Sequence, residues 1–266
     1  MKLCMMSSIT GFDAPYEVVD IARYCRMEAV DWILPADREM DPDFYRKLCV
    51  DNGLKTAAYT SLFNACVDGR ENWKDLFKKE LAKACGMETP VMMIPPVASA
   101  DQKSLADDRA RWLEFYSWAA PEARSCGVCL TLEPTGMLNS PVATAAEISE
   151  LLDAVPDLRL TMDYGNMAAA GEAPEAVGAF AGKIAHIHLK DWLISDVEIP
   201  NSRLKRCGRY FANAMIGTGM LDVKRSWDAL SAADKECYVN LETADFTWKL
   251  SIKEALKQVS DCLRHW

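Results

Sequence analysis

Long apolar runs and basic charge are both scarce in this sequence of 266 residues. A membrane-spanning helix needs about 20 consecutive apolar residues, and no segment approaches that length. Acidic residues outnumber basic ones by 39 to 30, which gives a formal net charge of -9 at pH 7. Because the phosphate backbone of a nucleic acid repels an acidic protein, we expect neither a nucleic-acid partner nor a membrane partner.

Dense cysteine patterns are missing too, although the chain has 10 cysteines. Secreted disulfide scaffolds are shorter and richer in cysteine. Cys126 and Cys129 form an isolated C-x-x-C without the second pair that a zinc site requires, so we interpret them as a helix end followed by a strand start. The segment 1–8 is more typical of a first strand than of a signal peptide. These features predict a protein of the reducing cytoplasm.

Short β-type segments alternate with amphipathic helical segments along the chain, and no low-complexity linker separates them. The eight β-type segments are 2–7, 29–34, 54–60, 90–94, 128–133, 158–163, 184–189 and 237–242. Such alternation indicates βαβ units and a parallel sheet. Eight units in about 250 residues are typical of the (β/α)₈ barrel. We therefore predict an α/β fold with a single TIM-barrel domain over residues 1–266.

A doubly wound parallel sheet is the main alternative fold. It usually carries a glycine-rich phosphate-binding turn after an early strand, and this sequence has none. Gly217-Thr218-Gly219 is only G-x-G, lies late in the chain and follows no clear strand. The barrel is therefore favoured, and its active site is expected at the carboxyl-terminal ends of the strands.

Polar side chains close the last four predicted strands. Glu133, Asp163 and Glu242 each end an apolar run, and His188 lies in the segment between the second and third of these acids. Taken singly, each acid is equally well explained as a helix cap or an ion-pair partner. Converging buried carboxylates repel one another unless a cation compensates their charge. The four residues together form a hard, mainly oxygen set that suits Mn²⁺ or Mg²⁺, with Co²⁺ and Zn²⁺ as alternatives.

Five motifs carry a resemblance to a known family. They are LTLEP (130–134), MDYGN (162–166), HIHLKD (186–191), GTGMLD (217–222) and NLE (240–242). In order and spacing they resemble the xylose isomerase-like TIM-barrel superfamily of sugar phosphate isomerases and epimerases. The resemblance covers nearly the whole chain. It is specific for the superfamily and much less specific for the substrate.

The resemblance implies one divalent ion, by preference Mn²⁺, bound by Glu133, Asp163, His188 and Glu242. It also implies that Glu133 and Glu242 are an acid/base pair. One removes a proton next to a substrate carbonyl and the other returns a proton, through a metal-stabilised enediolate. The expected enzyme is an isomerase or epimerase of a sugar, polyol or keto-sugar. Relatives are usually dimers or tetramers, so we expect a homo-oligomer and leave a hetero-oligomer open.

Three positions depart from the pattern of the family's ketose 3-epimerases. Asn166 stands where many members have a substrate-contacting histidine, Asn139 stands where those epimerases have a second glutamate, and Ile194 stands where they have an arginine. These departures argue against a plain ketose 3-epimerase. The alternative is a lyase or dehydratase, as inosose dehydratases, dehydroshikimate dehydratases and C-glycoside-cleaving enzymes are. A non-catalytic barrel subunit is the third hypothesis, and the intact set of four metal-binding residues counts against it.

Lys190 and His186 are expected to contact the substrate, because they alternate with His188 on one strand and so face the same side. The alternative for Lys190 is a salt bridge with Asp191 or with another neighbouring acid. The alternative for His186 is a deeper supporting place in the core. The resemblance implies that Asn166 contacts the substrate as well, because it stands where many family members have a substrate-contacting histidine.

Tyr59 and Trp32 lie near the ends of the third and second predicted strands and are expected to wall the pocket, since aromatic rings stack on sugar faces. Core packing is the alternative for Trp32. The segment 192–221 is long enough to form a lid. It carries a basic cluster of four residues, Arg203, Lys205, Arg206 and Arg209. Such a cluster suits a carboxylate, a phosphate or a partner chain, and we take Arg209 as a substrate-binding residue. A solvated loop face is the alternative for the whole cluster.

Overall fold

Eight parallel strands close into a barrel in the computed structural model, which describes residues 1–11, 13–34, 39–101 and 104–266. The described residues form these eight strands and three further strands, β8 to β10, which lie outside the barrel. In chain order the strands are β1 (Lys2–Met6), β2 (Ala29–Leu34), β3 (Lys55–Ser61), β4 (Val91–Met93), β5 (Cys129–Leu132), β6 (Arg159–Asp163), β7 (Ile184–Leu189), β8 (Asp191–Ser195), β9 (Arg203–Leu204), β10 (Tyr210–Ala214) and β11 (Tyr238–Leu241). The barrel order is β1-β11-β7-β6-β5-β4-β3-β2. Each predicted β-type segment overlaps one barrel strand, and the predicted barrel is confirmed.

Helices follow the barrel strands and pack outside them. They are α1 (Pro15–Tyr24), α2 (Pro42–Asp51), α3 (Trp73–Gly86), α4 (Leu105–Ser125), α5 (Ala145–Ala154), α6 (Tyr164–Ala168), α7 (Val223–Ala229) and α8 (Ile252–Leu263), with short 3₁₀ helices at Ser7–Thr10, Pro174–Phe180 and Asp234–Glu236. Cys126 caps the end of α4 and Cys129 starts β5, which confirms the interpretation of the C-x-x-C. All 10 cysteines are free thiols. Within the described ranges, no helix has the length and apolarity that a membrane span requires.

The side chains of Trp32 on β2 and Tyr59 on β3 do not point into the pocket. Trp32 and Tyr59 are partners in register and are fully buried. The Trp32 ring lies 4.8 Å from that of Tyr45 on α2, and the Tyr59 hydroxyl donates to Glu80 on α3 at 2.7 Å. Alternate residues of a strand face opposite sides, and these two face the helices. Tyr59 and Trp32 therefore pack the core behind the barrel wall, and the prediction that they contact substrate is wrong.

The segment after β7, which the sequence predicts as a loop long enough to form a lid, has regular secondary structure over part of its length. It folds into a three-stranded antiparallel sheet in the order β8-β10-β9. Ile194 pairs with Phe211, and the rings of Trp192 and Phe211 meet edge to face at 6.0 Å. Cross-strand contacts between such apolar and aromatic side chains stabilise antiparallel pairs. We call residues 191–214 the hairpin sheet, and several of its side chains line the cavity described below.

The backbone at Gly217 and Gly219 encloses the carboxylate of Asp191, the first residue of the hairpin sheet. Its Oδ2 accepts the backbone N–H groups of Gly217 at 3.0 Å and Gly219 at 2.9 Å, and its Oδ1 accepts those of Trp192 at 2.8 Å and Leu221 at 3.1 Å. Gly217 has φ +87°, which glycine adopts without strain, and a Cβ on Gly219 would collide with the carboxylate. This G-x-G therefore anchors the hairpin sheet at the barrel mouth.

Glu147 ties the hairpin sheet to α4 and α5. Its carboxylate lies 2.6 Å from Arg109 Nη2 and 2.9 Å from Arg206 Nη1, and it accepts the backbone N–H of Thr144 at 3.1 Å. The Thr144 hydroxyl in turn accepts the backbone N–H of Glu147 at 3.3 Å, which completes a capping box. Burial raises the pKa of Glu147, but Arg206, the backbone donors and Arg109 outweigh it and hold the pKa below its ordinary value.

Removing the charge of Glu147 is expected to lower the free energy of unfolding at neutral pH and to change it little at acid pH. Because the folded-state pKa lies below the unfolded one, the ionised carboxylate stabilises the fold above pH 4.5, and this stabilisation is lost as the pH falls through the folded-state value. We expect Glu147→Gln to lower the free energy of unfolding by about 2 kcal/mol at pH 7. Urea unfolding at pH 3 to 7 measures the difference between variant and wild type. A difference that does not shrink in acid would contradict the prediction.

Candidate metal centre

Side chains from four strand ends meet at the carboxyl-terminal mouth of the barrel. Glu133 follows β5, Asp163 ends β6, His188 lies near the end of β7 and Glu242 follows β11. Asp163 and His188 are partners in register, and the backbone N–H of Glu242 donates to Leu189 at 2.9 Å. One potential ligand atom from each of the four side chains lies within 4.8 Å of the others. The structure therefore brings together all four residues that the sequence predicts as metal ligands.

Burial and mutual repulsion set the charge of the carboxylates in this cluster. Asp163 is fully buried, and burial raises its pKa to about 7, with Glu133 and Glu242 adding to the rise and Lys190 opposing it. Burial also raises the pKa of Glu133, but His188 and Lys190 outweigh that effect and leave it lowered. His188 Nδ1 lies 2.7 Å from Glu133 Oε1. Three carboxylates, of which Glu133 and Asp163 are buried, therefore share this site with the His188 ring and the Lys190 ammonium.

Lys190 reaches into the same cluster from the residue after β7. Its Nζ lies 3.0 Å from Asp163 Oδ2, contacts the Glu242 carboxylate and donates to Asn166 Oδ1 at 3.3 Å. A Cβ at position 165 would collide with the Lys190 side chain, so Gly165 leaves free the space that this side chain occupies. Burial lowers the pKa of Lys190, but the surrounding carboxylates outweigh it and raise the pKa above its ordinary value. Lys190 and Asn166 thus lie beside the acids.

The donor set of the cluster fits a divalent cation. It offers three carboxylates and one imidazole nitrogen, the hard and mainly oxygen set that such ions prefer. Asp163 Oδ2 is buried and has no aligned hydrogen-bond donor, although the Lys190 ammonium is close. A buried carboxylate oxygen in that state is costly unless a cation or donor satisfies it. The group of Glu133, Asp163, His188 and the partly exposed Glu242 can therefore bind a metal.

Asp31 on β2 forms a second buried cluster below the first. Its Oδ2 lies 3.1 Å from Nε2 of both His186 and His188 and accepts from Asn240 Nδ2 at 2.7 Å, and its Oδ1 accepts from Thr60 at 3.3 Å. Burial raises the pKa of Asp31, but the two histidines outweigh it and hold the pKa far below its ordinary value. With Nε2 of His188 directed to Asp31, Nδ1 faces Glu133, which is how carboxylates orient metal-binding histidines.

Sequence reasoning missed Asp31, although one signal was present. The segment 29–34 reads Ala-Val-Asp-Trp-Ile-Leu, so an acid interrupts an otherwise apolar buried strand. Asn240 interrupts the apolar run of β11 in the same way. A lone polar residue inside a buried strand needs a partner. Here the partners of Asp31 come mainly from β7 and β11, neither of which is a neighbour of β2 in the barrel.

His186 and Arg209, which the sequence predicts to bind substrate, lie away from the acids at the barrel mouth. His186 is fully buried, with Nε2 on Asp31 and Nδ1 without a partner among the described residues. It faces the barrel interior one layer below His188, so the prediction that it contacts substrate is wrong and the deeper supporting place is correct. Arg209 pairs with Asp196 at 2.6 Å on the solvent side of the hairpin sheet and does not line the cavity, so that prediction is wrong as well.

A cavity of about 550 Å³ opens above the acids. Glu133, Glu242, Asn166 and Lys190 form its floor, and the hairpin sheet supplies a wall that includes Trp192. The volume lies within the usual range for small-molecule sites. Charged groups at the base and polar side chains around the wall suit a polar ligand of monosaccharide size.

Solved structures with the same fold include proteins of several activities. D-psicose 3-epimerase, solved in the presence of D-fructose, is 16% identical with a TM-score of 0.77 over 100% of this chain and 98% of that one. The IOLI protein with a bound zinc atom is 18% identical with a TM-score of 0.76 over 99% and 96% of the two chains. A fusion of a xylose isomerase-like barrel with 4-hydroxyphenylpyruvate dioxygenase is 17% identical, with a TM-score of 0.75 over 99% of this chain and 42% of its own.

At such identities the likeness to solved structures shows the fold alone, and no curated protein matches the sequence significantly. The sequence does match one family model, described as the xylose isomerase-like TIM barrel, over residues 22–266. That range includes Asp31 and all four residues of the metal-binding group. It also confirms the resemblance that the sequence motifs carry. The chain therefore belongs to the xylose isomerase-like TIM barrel family.

Proposed function

We propose that this protein is a divalent-metal-dependent isomerase or epimerase acting on a sugar or a related polyol or keto-sugar. The observation that carries the proposal is that Glu133 and Glu242 meet Asp163 and His188 at the floor of a cavity of monosaccharide size. In the proposal these four residues hold the ion, which is Mn²⁺ by preference and Mg²⁺, Co²⁺ or Zn²⁺ otherwise.

Glu133 and Glu242 are the proposed acid/base pair. A bound divalent ion supplies positive charge that polarises a carbonyl and makes the neighbouring C–H more acidic. Both carboxylates line the cavity floor, so one takes the proton from that carbon and the other returns a proton. His188 and Lys190 keep Glu133 ionised, because both lower its pKa. An ionised carboxylate is the form that accepts a proton.

Lys190 and Asn166 are the proposed holders of substrate oxygens. Both line the cavity, and their side chains are hydrogen-bonded to each other at 3.3 Å. The ammonium donates to hydroxyl or carbonyl oxygens, and the amide both donates and accepts. Held by Asp163 and Glu242, the lysine has few conformations to lose when substrate binds. This arrangement directs the substrate carbonyl end toward the acids.

Elimination at the same site is the second candidate function. Asn139 is exposed, and Ile194 packs on the Trp192 and Phe211 cluster of the hairpin sheet. Neither residue lines the cavity. The positions that in ketose 3-epimerases carry a glutamate and an arginine therefore supply no charged group to this pocket. In a lyase, one glutamate removes the same proton and the other protonates a β-leaving group, so the acids serve either outcome.

Metal removal tests both enzyme hypotheses. We expect one divalent ion per chain by elemental analysis, loss of activity after chelation, and recovery when Mn²⁺ is returned. Ketoses, inososes and 3-keto-glycosides incubated in D₂O identify the reaction. Deuterium in a recovered isomer supports the isomerase, and an ultraviolet-absorbing unsaturated product supports the lyase. Glu236→Gln, at an exposed glutamate paired with Lys2, is the matched control. A protein that binds no divalent ion would overturn both enzyme hypotheses.

A further inference from the structure

Lys205 is a buried lysine on the cavity wall without an acidic partner. It follows β9, forms a backbone bridge with Met137 and is only 5% exposed. Its Nζ lies 3.3 Å from Met137 Sδ and 5.0 Å from the centroid of the Trp192 ring. In the described ranges no carboxylate lies within ion-pair distance of it. A desolvated ammonium with only a thioether and a ring as neighbours is poorly compensated.

The other basic residues of the hairpin sheet differ from Lys205 in whether they have an acidic partner. Arg206 is bound to Glu147, and Arg209 is bound to Asp196. Arg203 and Lys205 instead line the cavity. The basic cluster therefore divides into two residues that hold the structure together and two that face the pocket. The pocket-facing pair gives the outer cavity wall a positive charge opposite the acids of the floor.

Trp192 separates the two lysines of the cavity. The centroid of its ring lies 5.6 Å from Lys190 Nζ and 5.0 Å from Lys205 Nζ. Lys190 forms ion pairs with Asp163 and Glu242, whereas Lys205 has no ion-pair partner in the part of the chain that the structure describes. Burial lowers the pKa of Lys205, Lys190 and Arg203 lower it further, and the more distant Glu242 and Asp163 oppose this only in part. An anion placed beside Lys205 would offset each of these unfavourable effects.

We propose that the cavity binds a monosaccharide derivative with an acidic substituent, and that Lys205 and Arg203 pair with this substituent. The acidic group is a carboxylate or a phosphate, because both accept charge-assisted hydrogen bonds from an ammonium and a guanidinium. The inference rests on the proposed function for the position of the reacting carbon, which lies at Glu133 and Glu242. The anion pairing itself requires no catalysis.

Calorimetric binding of D-glucuronate, D-glucose 6-phosphate and D-glucose to the Mn²⁺-loaded full chain tests the proposal. We expect at least one of the two acidic sugars to bind about ten-fold or more tightly than D-glucose, since a charged hydrogen bond contributes about 1.5–3 kcal/mol. The first acid tests the carboxylate and the second tests the phosphate. Equal affinity for all three sugars would overturn the inference.

Substitution of Lys205 separates recognition from a structural role. Lys205→Met keeps the length and the packing on Trp192, and it is expected to remove the preference for the acidic sugar over D-glucose. Lys205→Arg should restore the preference. Lys224→Met, at an exposed lysine paired with Asp228, is the matched control and should bind like wild type. If Lys205→Met kept the full preference for the acid, Lys205 would not be the anion-binding residue.

Failure of this inference can be told apart from failure of the proposed function. The same titrations are made with Glu242→Gln, and proton exchange in D₂O is followed separately in wild type. Anion binding that depends on Lys205, without any exchange, supports the inference and counts against the proposed function. Exchange on neutral sugars, without preference for either acid, supports the proposed function and overturns the inference.

Discussion

Replacing Glu242 with glutamine is expected to lower turnover by roughly 10³-fold or more, which is within the range that general acid–base catalysis contributes. The amide cannot take or return a proton at neutral pH. Glu133→Gln is expected to have an effect of the same size, because both carboxylates line the floor of one cavity. The rate of deuterium incorporation into substrate in D₂O, under saturating Mn²⁺, measures the loss.

Metal occupancy must be measured in both glutamine variants, because loss of the ion would also lower turnover. Each glutamine keeps an amide oxygen at the position of the lost carboxylate, so loss of chemistry and loss of the ion are separable. Elemental analysis of each variant under the assay conditions shows whether the ion is retained. Glu236→Gln should match wild type in both measurements. A glutamine variant with wild-type turnover would show that its parent residue is not part of the acid/base pair.

Replacing Asp31 is expected to give the second large effect, on both stability and metal affinity. Its carboxylate accepts from His186, His188 and Asn240, and all of these groups are buried. Removing one partner of a buried charged network costs about 3–5 kcal/mol. We expect Asp31→Ala to lower the free energy of unfolding by that amount, measured by denaturant unfolding of the metal-free protein.

Asp31→Asn tests the positioning role with less loss of packing. The amide keeps the shape but removes the negative charge from the Oδ2 atom that both histidines contact. We expect Mn²⁺ affinity to fall by about 10- to 100-fold, as it does when other outer partners of metal-binding histidines are changed. Thr60→Val removes only the 3.3 Å bond to the same carboxylate and should cost about 1 kcal/mol with little change in Mn²⁺ affinity. Unchanged Mn²⁺ affinity in Asp31→Asn would show that Asp31 does not orient His188.

The barrel and the acids at its mouth were predictable because their signals are local. Glu133, Asp163 and Glu242 each follow an apolar strand, and a strand end is visible in a few consecutive residues. Parallel strands of one barrel place their carboxyl ends at the same rim. Strand order and strand ends therefore predict that these side chains meet, without knowledge of the pairing in detail.

The facing of individual side chains was predicted less well, and strand irregularities are one physical cause. The register between β2 and β3 shifts between Val30 and Asp31, and that between β6 and β7 shifts between Leu160 and Thr161. A shift of one residue reverses which side chains face inward. Tyr59 therefore could not be assigned to the pocket or to the helices from its place in the sequence. Its outward position follows from its register with Trp32.

Long-range pairing also decided which polar residues act together. Asp31 and His186 are 155 positions apart, yet their side chains meet inside the closed barrel. The salt-bridge alternative for Lys190 was foreseen, but its partners are Asp163 and Glu242 rather than the adjacent Asp191. Asp191 is instead enclosed by backbone N–H groups from the segment at Gly217 and Gly219. No local pattern encodes these choices.

Apolar periodicity and strand-end residues are properties of short segments, so they were enough to predict the eight strand–helix units and the acids at the barrel mouth. The resemblance to the family came from five short motifs. The folded structure was needed to show that Asp31 supports His188, that the hairpin sheet covers the mouth, and that Lys205 faces the cavity with no ion-pair partner among the described residues. These features depend on closure of the barrel and on register between distant strands. The physical reason is that hydrogen-bond and ion-pair partners are chosen by proximity in space, which separation along the chain does not specify.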